Sequence, residues 1–166
     1  MTDLETCAGC GVVLPAGSGP THPYMTGSAA CWARFGELLA SDYSSGERMA
    51  FHQVLVDSYA AQHPGDGGRR AVQSVGLHLM TLCLFLEHGV DAALGTALHR
   101  RMIRRPAFRR LTRIEPGRLT VLHVPVSGSA VVARQAVYEW AHAVWQTYEP
   151  EHVQVRRWLR EAGFAL

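Results

Sequence analysis

Cys7-Ala8-Gly9-Cys10-Gly11 is the stretch of this chain whose residue types and spacing point most directly to chemistry. A Cys-x-x-Cys pair sets two thiolates on one tight turn, and the flanking Gly9 and Gly11 let the backbone curl round an ion. A third cysteine, Cys31, follows a Gly/Pro-rich loop that holds His22. Three cysteines and one imidazole make a donor set for tetrahedral Zn²⁺. The fourth ligand is His22, which is local and gives a compact loop site, or His63, which would pin the loop to the helices behind it. The local residue is the preferred ligand and His63 the preferred pocket residue. Four such donors leave no position for water, so the zinc is expected to be mainly structural. Cys31 also reads as a small buried hydrophobe beside Trp32, or as a nucleophile at a helix N-terminus. No base adjacent in sequence supports the latter.

The histidines suggest a second chemistry. His52, Tyr59 and His63 share one face of a helix, Asp57 lies near its edge, and His78 sits midway along the most apolar segment. A helical bundle could converge His52, His63, His78 and His152 on one interior cavity, as metal-dependent bundle enzymes do. In that reading, a hydrolase or lyase acting on a small molecule, His63 and His78 act as ligands or acid–base groups and Asp57 orients a histidine. Gln62, Tyr59 and His152 would then contact the substrate or an anion. The plainer reading makes His78 a hydrogen-bonded core histidine and His52 a half-exposed one, and it is preferred.

A run of arginines, at 100, 101, 104, 105, 109, 110, 113 and 118, is opposed only by Glu115. Such a face could meet a small anionic ligand or nucleic acid. Its spacing spreads round the helix and no aromatic residues interleave it, which argues against nucleic acid and for a solvated basic face. Trp140, Trp145, Trp158 and Tyr148 read as core packing.

The elements that must position these groups are mostly helices. Residues 1–28 carry Gly and Pro too often for a long helix or strand, so an ordered loop there needs a staple such as a metal. Ser28 caps a first helix over about 29–41, with Cys31, Trp32, Phe35, Leu38 and Leu39 on one stripe. Ser44 and Glu47 have capping-box spacing and open a second, over about 45–62. A third, over about 69–88, is apolar nearly all round from Val75 to Leu86 and is expected at the centre. Asp91 caps a fourth over about 92–105, and a connector over 106–128 follows, in which Leu119–Val124 is a short strand or an extended segment. Two C-terminal helices, about 129–148 and 150–162, complete a mainly α bundle of five to six helices in one domain, 1–166, with the metal loop at one end.

Composition agrees. A chain of 166 residues, 48% hydrophobic and 18% charged, can bury a real core, and a net charge of +2 is too small to argue for nucleic acid. The N-terminus lacks the basic and apolar regions of a signal peptide. The longest apolar run, interrupted by His78 and Thr81, falls short of the ~20 residues of a membrane span. The expectation is a soluble cytoplasmic protein of unspecified oligomeric state, in which clustered cysteines hold a metal rather than form disulfides.

Several segments together resemble one family. They are Cys7-Ala8-Gly9-Cys10-Gly11, His22-Pro23-Tyr24-Met25, Cys31-Trp32, Asp57-Ser58-Tyr59-Ala60-Ala61-Gln62-His63-Pro64-Gly65 and Gln73-Ser74-Val75-Gly76-Leu77-His78-Leu79. Leu119-Thr120-Val121 and the C-terminal stretch from Trp140-Ala141 through His152 to Arg156 and Trp158 belong with them. The chain resembles the bacterial domain family of unknown function DUF5946. The resemblance covers nearly the whole chain; it implies a helical domain and a zinc site and supplies no reaction.

Overall fold

The computed structural model describes residues 3–104 and 106–166. The chain opens with a two-stranded antiparallel hairpin, β1 (Leu4–Thr6) and β2 (Val13–Pro15), in which Glu5 faces Leu14. The strands are three residues each because the Cys-x-x-Cys turn and the prolines allow no more. Within that turn, the Cys7 amide donates to Val12 O and the Gly11 amide to Cys7 O, both at 2.8 Å. Gly11 takes a φ of +77°, a left-handed conformation that glycine adopts without strain.

Seven α-helices follow among the described residues. α1 (Ala29–Tyr43) starts where Ser28 caps it, its hydroxyl accepting from the Cys31 amide. The expected second helix is two. A short α2 (Gly46–Met49) is capped by Ser45 rather than Ser44, whose hydroxyl instead donates to Ser41 O. After a break at Phe51, which turns into the core, comes α3 (His52–Gln62). The break lets Arg48 bury against Asp42, with Nε 3.2 Å from Oδ1 and Nη2 donating to Pro125 O. α4 (Arg69–Glu87) begins after the turn at Gly65–Gly68. Asp91 caps a 3₁₀ turn, Ala92–Leu94, that leads into α5 (Gly95–Met102). Residue 105, the expected end of that helix, lies outside the described residues. α6 (Ala130–Thr147) is capped by Ser129, and α7 (His152–Glu161) follows a 3₁₀ turn that contains Pro150. Within the connector, Val121–His123 is a 3₁₀ turn and not a strand, because Thr120 and His123 satisfy each other's backbone groups across it.

The centre of the bundle is α3, packed between α4 and α6 and reached also by α1 and α2. Every residue from Asp57 to His63 is buried. The small side chains of Ser58, Ala60 and Ala61 let the neighbouring helices approach closely. α4 is buried over most of Val75–Phe85 as its apolar run requires, but it flanks the centre rather than forming it. α6 and α7 contribute Trp140, Trp145, Trp158 and Tyr148 to the core, and Tyr148 donates its hydroxyl to Ala61 O at 2.8 Å.

Buried polar side chains, not secondary structure, hold the connector. Gln62 donates from Nε2 to Pro116 O and Leu119 O and accepts at Oε1 from the Trp140 indole. Arg113 forks to Gln62 O at 2.7 Å and to Gly9 O at 2.6 Å, tying the hairpin turn to the end of α3. Other arginines of the run are also engaged: Arg109 with Glu151 at 2.7 Å, and Arg101 over the Phe164 ring. Arg101, Arg109 and Arg113 are thus held by separate partners. No helix among the described residues is long and apolar enough to cross a membrane.

Candidate metal centre

The hairpin turn, the start of α1 and the end of α3 meet at one buried point. Cys7, Cys10, Cys31 and His63 each present a ligand atom there, and these atoms all lie within 4.8 Å of one another. Cys10 Sγ is 3.8 Å from Cys31 Sγ, and Cys31 Sγ is 3.4 Å from His63 Nε2. All four residues are buried, and all four cysteines of the chain, Cys83 included, are free thiols.

The surroundings orient each donor. His63 Nδ1 stands 2.7 Å from Tyr59 O, a group that can only accept, so the ring carries its proton on Nδ1 and turns the Nε2 lone pair to the sulfurs. The ring stacks on Tyr59 at 3.9 Å, and Tyr59 in turn stacks on Phe35. The Tyr59 hydroxyl points to Cys31 Sγ at 3.8 Å. Burial, then the Cys31 sulfur, pushes the Tyr59 phenol far above its ordinary range, so it remains a neutral donor. Gly9 packs without a side chain against both Thr26 O and the His63 ring.

The thiols cannot all ionise unaided. Hydrogen bonds from Cys10 and Cys31 hold Cys7 far below the ordinary thiol range. Cys10 is drawn down by Cys31 but driven up by Cys7 and by burial, to about 11. Cys31, bonded to Cys10 and Cys7 and buried, is pushed far up. One sulfur takes a charge at the expense of the others, and a cation at their centre removes that conflict. The cluster is thus suited to a metal ion.

His22, the preferred sequence candidate for the fourth ligand, lies outside this cluster. Its Nδ1 faces the Tyr24 amide at 3.4 Å, and its ring packs edge-on to Tyr24 and Trp32. The hairpin turn is docked against the end of α3, which puts the distant His63 where the local loop residue cannot reach.

His52, His63, His78 and His152, which the alternative reading would gather in one cavity, have separate partners. His52 pairs with Asp42 at 3.0 Å, His63 belongs to the cysteine cluster, and His152 stacks on Trp145 with Nε2 2.9 Å from Trp145 O. Gln62 is buried, and its amide is consumed by the connector and Trp140. Tyr59 is likewise engaged by the cysteine cluster.

Asp57 and His78 do meet, and with a partner that sequence reasoning passed over, His99. Asp57 Oδ1 is 2.6 Å from His78 Nδ1 and 3.6 Å from His99 Nε2, and it accepts from Gln53 Nε2 at 2.7 Å. Burial would raise the Asp57 carboxyl, but hydrogen bonds from His78 and His99 outweigh it and hold the group below its usual range. The only sequence signal for His99 was its position two turns along the helix opened by Asp91, where it reads as one more cation at a C-terminal turn. A third group, Cys83, Glu87 and His88, is spoken for: Arg156 and the Trp145 indole occupy both Glu87 oxygens.

Beside the cysteine cluster runs a groove of about 330 Å³ walled by aromatic residues. Trp32, Phe35, Tyr43 and Tyr59 line it, together with His22, His52, Gln53 and Thr96. Trp32 directly follows Cys31, and Tyr59 rests on His63, so the cluster fixes the position of two of the four aromatic walls.

Comparison with curated proteins and with solved structures returns no match. A sequence model of the family of unknown function DUF5946 matches residues 5–149, which takes in the whole donor set from Cys7 to His63 as well as Asp57, His78 and His99, and the chain belongs to that family.

Proposed function

We propose that Cys7, Cys10, Cys31 and His63 bind one zinc ion, that this zinc is structural, and that it shapes the neighbouring aromatic groove into a binding site for a small apolar or aromatic molecule. The observation that carries the reading is the size and composition of the cluster. Tetrahedral zinc with sulfur at ~2.3 Å and nitrogen at ~2.0–2.1 Å sets two sulfurs about 3.8 Å apart and sulfur and nitrogen about 3.5 Å apart. The Cys10–Cys31 and Cys31–His63 separations, 3.8 Å and 3.4 Å, match those values, and all four ligand atoms lie within 4.8 Å of one another. Three sulfurs and one imidazole favour zinc over harder cations, and four donors leave no open position for a metal-bound water. The zinc therefore does no chemistry itself. It replaces the secondary structure that the hairpin and the loop to α1 lack, closing a span from Cys7 to His63.

Metal content per chain tests this, measured by plasma mass spectrometry on untagged protein purified without added metal. One zinc per chain is expected in the wild type. Cys10→Ser is expected to lose it and to unfold at lower temperature with reduced cooperativity. Full zinc retention in Cys10→Ser, or a metal-free wild type with unchanged thermal unfolding, would overturn the reading.

A further inference from the structure

A second donor set is assembled by three different helices. Asp57 comes from α3, His78 from α4 and His99 from α5, and their ligand atoms all lie within 4.8 Å of one another. Asp57 is six residues before His63, about 120° away round the same helix, so the two sets occupy separate faces. We propose that Asp57, His78 and His99 form a second metal site, for a divalent first-row transition ion held with open coordination positions. The proposal does not rest on zinc at the cysteines.

Four observations support it. First, two imidazoles and one carboxylate are a donor set that first-row divalent ions occupy while leaving room for water or a ligand. Second, the Asp57 side chain is fully buried and its Oδ2 has no hydrogen-bond partner among the described residues. A buried carboxylate with an idle oxygen is costly unless a cation or donor completes it. Third, a group that would orient the carboxylate is in place: Gln53 donates to Asp57 Oδ1. Fourth, the His78 and His99 side chains are 13% and 22% exposed, so an ion can enter from solvent.

The change required on binding is small. His78 Nδ1 and Asp57 Oδ1 are 2.6 Å apart, bridged by a proton. Ligands ~2.0–2.2 Å from a common ion stand about 3 Å apart or more, so the gap opens by a few tenths of an ångström. Each neutral ring then carries its proton on its other nitrogen, and no net proton is required from the carboxylate. The site adjoins the aromatic groove through Gln53, which lines that groove and also holds Asp57. A groove ligand with a polar end could therefore complete the coordination.

Cobalt(II) is the probe. The full chain, loaded with one equivalent of zinc and freed of excess, is titrated with cobalt while bound metal is counted after dialysis and the visible spectrum is recorded. One further equivalent is expected, with weak ligand-field bands and no sulfur-to-cobalt charge transfer. His78→Ala and His99→Ala are each expected to weaken this equivalent by roughly a hundredfold or more, since losing even an orienting partner typically costs 10–100-fold. Both should keep the first zinc. If His99→Ala does not fold, His99→Gln, which keeps a polar partner for Thr81, takes its place. No second equivalent in the wild type, or one unchanged in both variants, would overturn the proposal. Loss of zinc from Cys10→Ser bears on the cysteine cluster alone, so the two readings fail separately.

Discussion

Replacing Gly9 by alanine tests the docking of the hairpin turn onto α3 more sharply than removing a cysteine. A Cβ at Gly9 would lie 2.1 Å from Thr26 O and 2.2 Å from Cδ2 of His63. Neither neighbour yields readily. Thr26 O is backbone, and the His63 ring is pinned by the hydrogen bond to Tyr59 O and by its stack on the Tyr59 ring. The turn must therefore retreat by ~1 Å, against Arg113, which grips Gly9 O. Overpacking usually costs about 1–3 kcal/mol, and with two rigid neighbours the upper end applies. For a chain of this size that is a fall in melting temperature of about 6–12 °C. The same retreat shifts Cys7 and Cys10 relative to His63, which should weaken zinc binding by roughly 10–100-fold. Circular dichroism melts at fixed zinc and competition with a chromophoric chelator read the two effects. Gly11→Asn is the control: an added Cβ there meets nothing within 4 Å, and asparagine tolerates the φ of +77°. A Gly9→Ala protein that melts within about 2 °C of wild type and holds zinc equally well would refute the packing described here.

Three further outcomes are expected. Arg113→Ala removes two charged hydrogen bonds, to Gln62 O and Gly9 O, and should lower stability by about 2–4 kcal/mol in urea unfolding, with Arg113→Lys recovering only part because a lysine cannot fork. Gln62→Leu should cost about 3 kcal/mol or more by leaving the Trp140 indole and the Pro116 and Leu119 carbonyls without their partner, whereas a residue whose only task was to meet a ligand would tolerate the change. Glu87 is held below the usual carboxylate range chiefly by Arg156. Its contribution is therefore fully present above the unfolded value of about 4.3 and fades as pH falls through the lowered folded value. Urea midpoints of Glu87→Gln and wild type should differ at pH 7 and converge in acid; a constant gap would rule this out.

Much of the helical frame was legible in the sequence because helix ends are written locally. Ser28 caps the helix expected of it, Asp91 caps the turn that opens α5, and Gly163, with a φ of +83°, follows the last helix. The second helix was misread as continuous because its periodicity carries no trace of the Arg48–Asp42 pair that bends the chain at Phe51. The central position of α3 was also hidden. Asp57, Ser58, Gln62 and His63 look like a polar face, and only their partners on other elements explain why all four are buried.

The sequence by itself determined the fold class and three of the four residues that meet in the cysteine cluster. Cys-x-x-Cys spacing on a glycine turn, and a cysteine in the first turn of a capped helix, are short-range patterns that need no tertiary information. The tertiary structure alone decided that His63 and not His22 completes the set, that Gln62 is a structural hub, and that Asp57 and His78 are joined by His99. These pairings span from 21 residues, between Asp57 and His78, to 78, between Gln62 and Trp140. At such separations the energy of one local pattern is the same whichever distant residue it meets. The choice is made by how α3 packs against α1, α4, α5 and α6, a sum over many buried contacts that no spacing rule records.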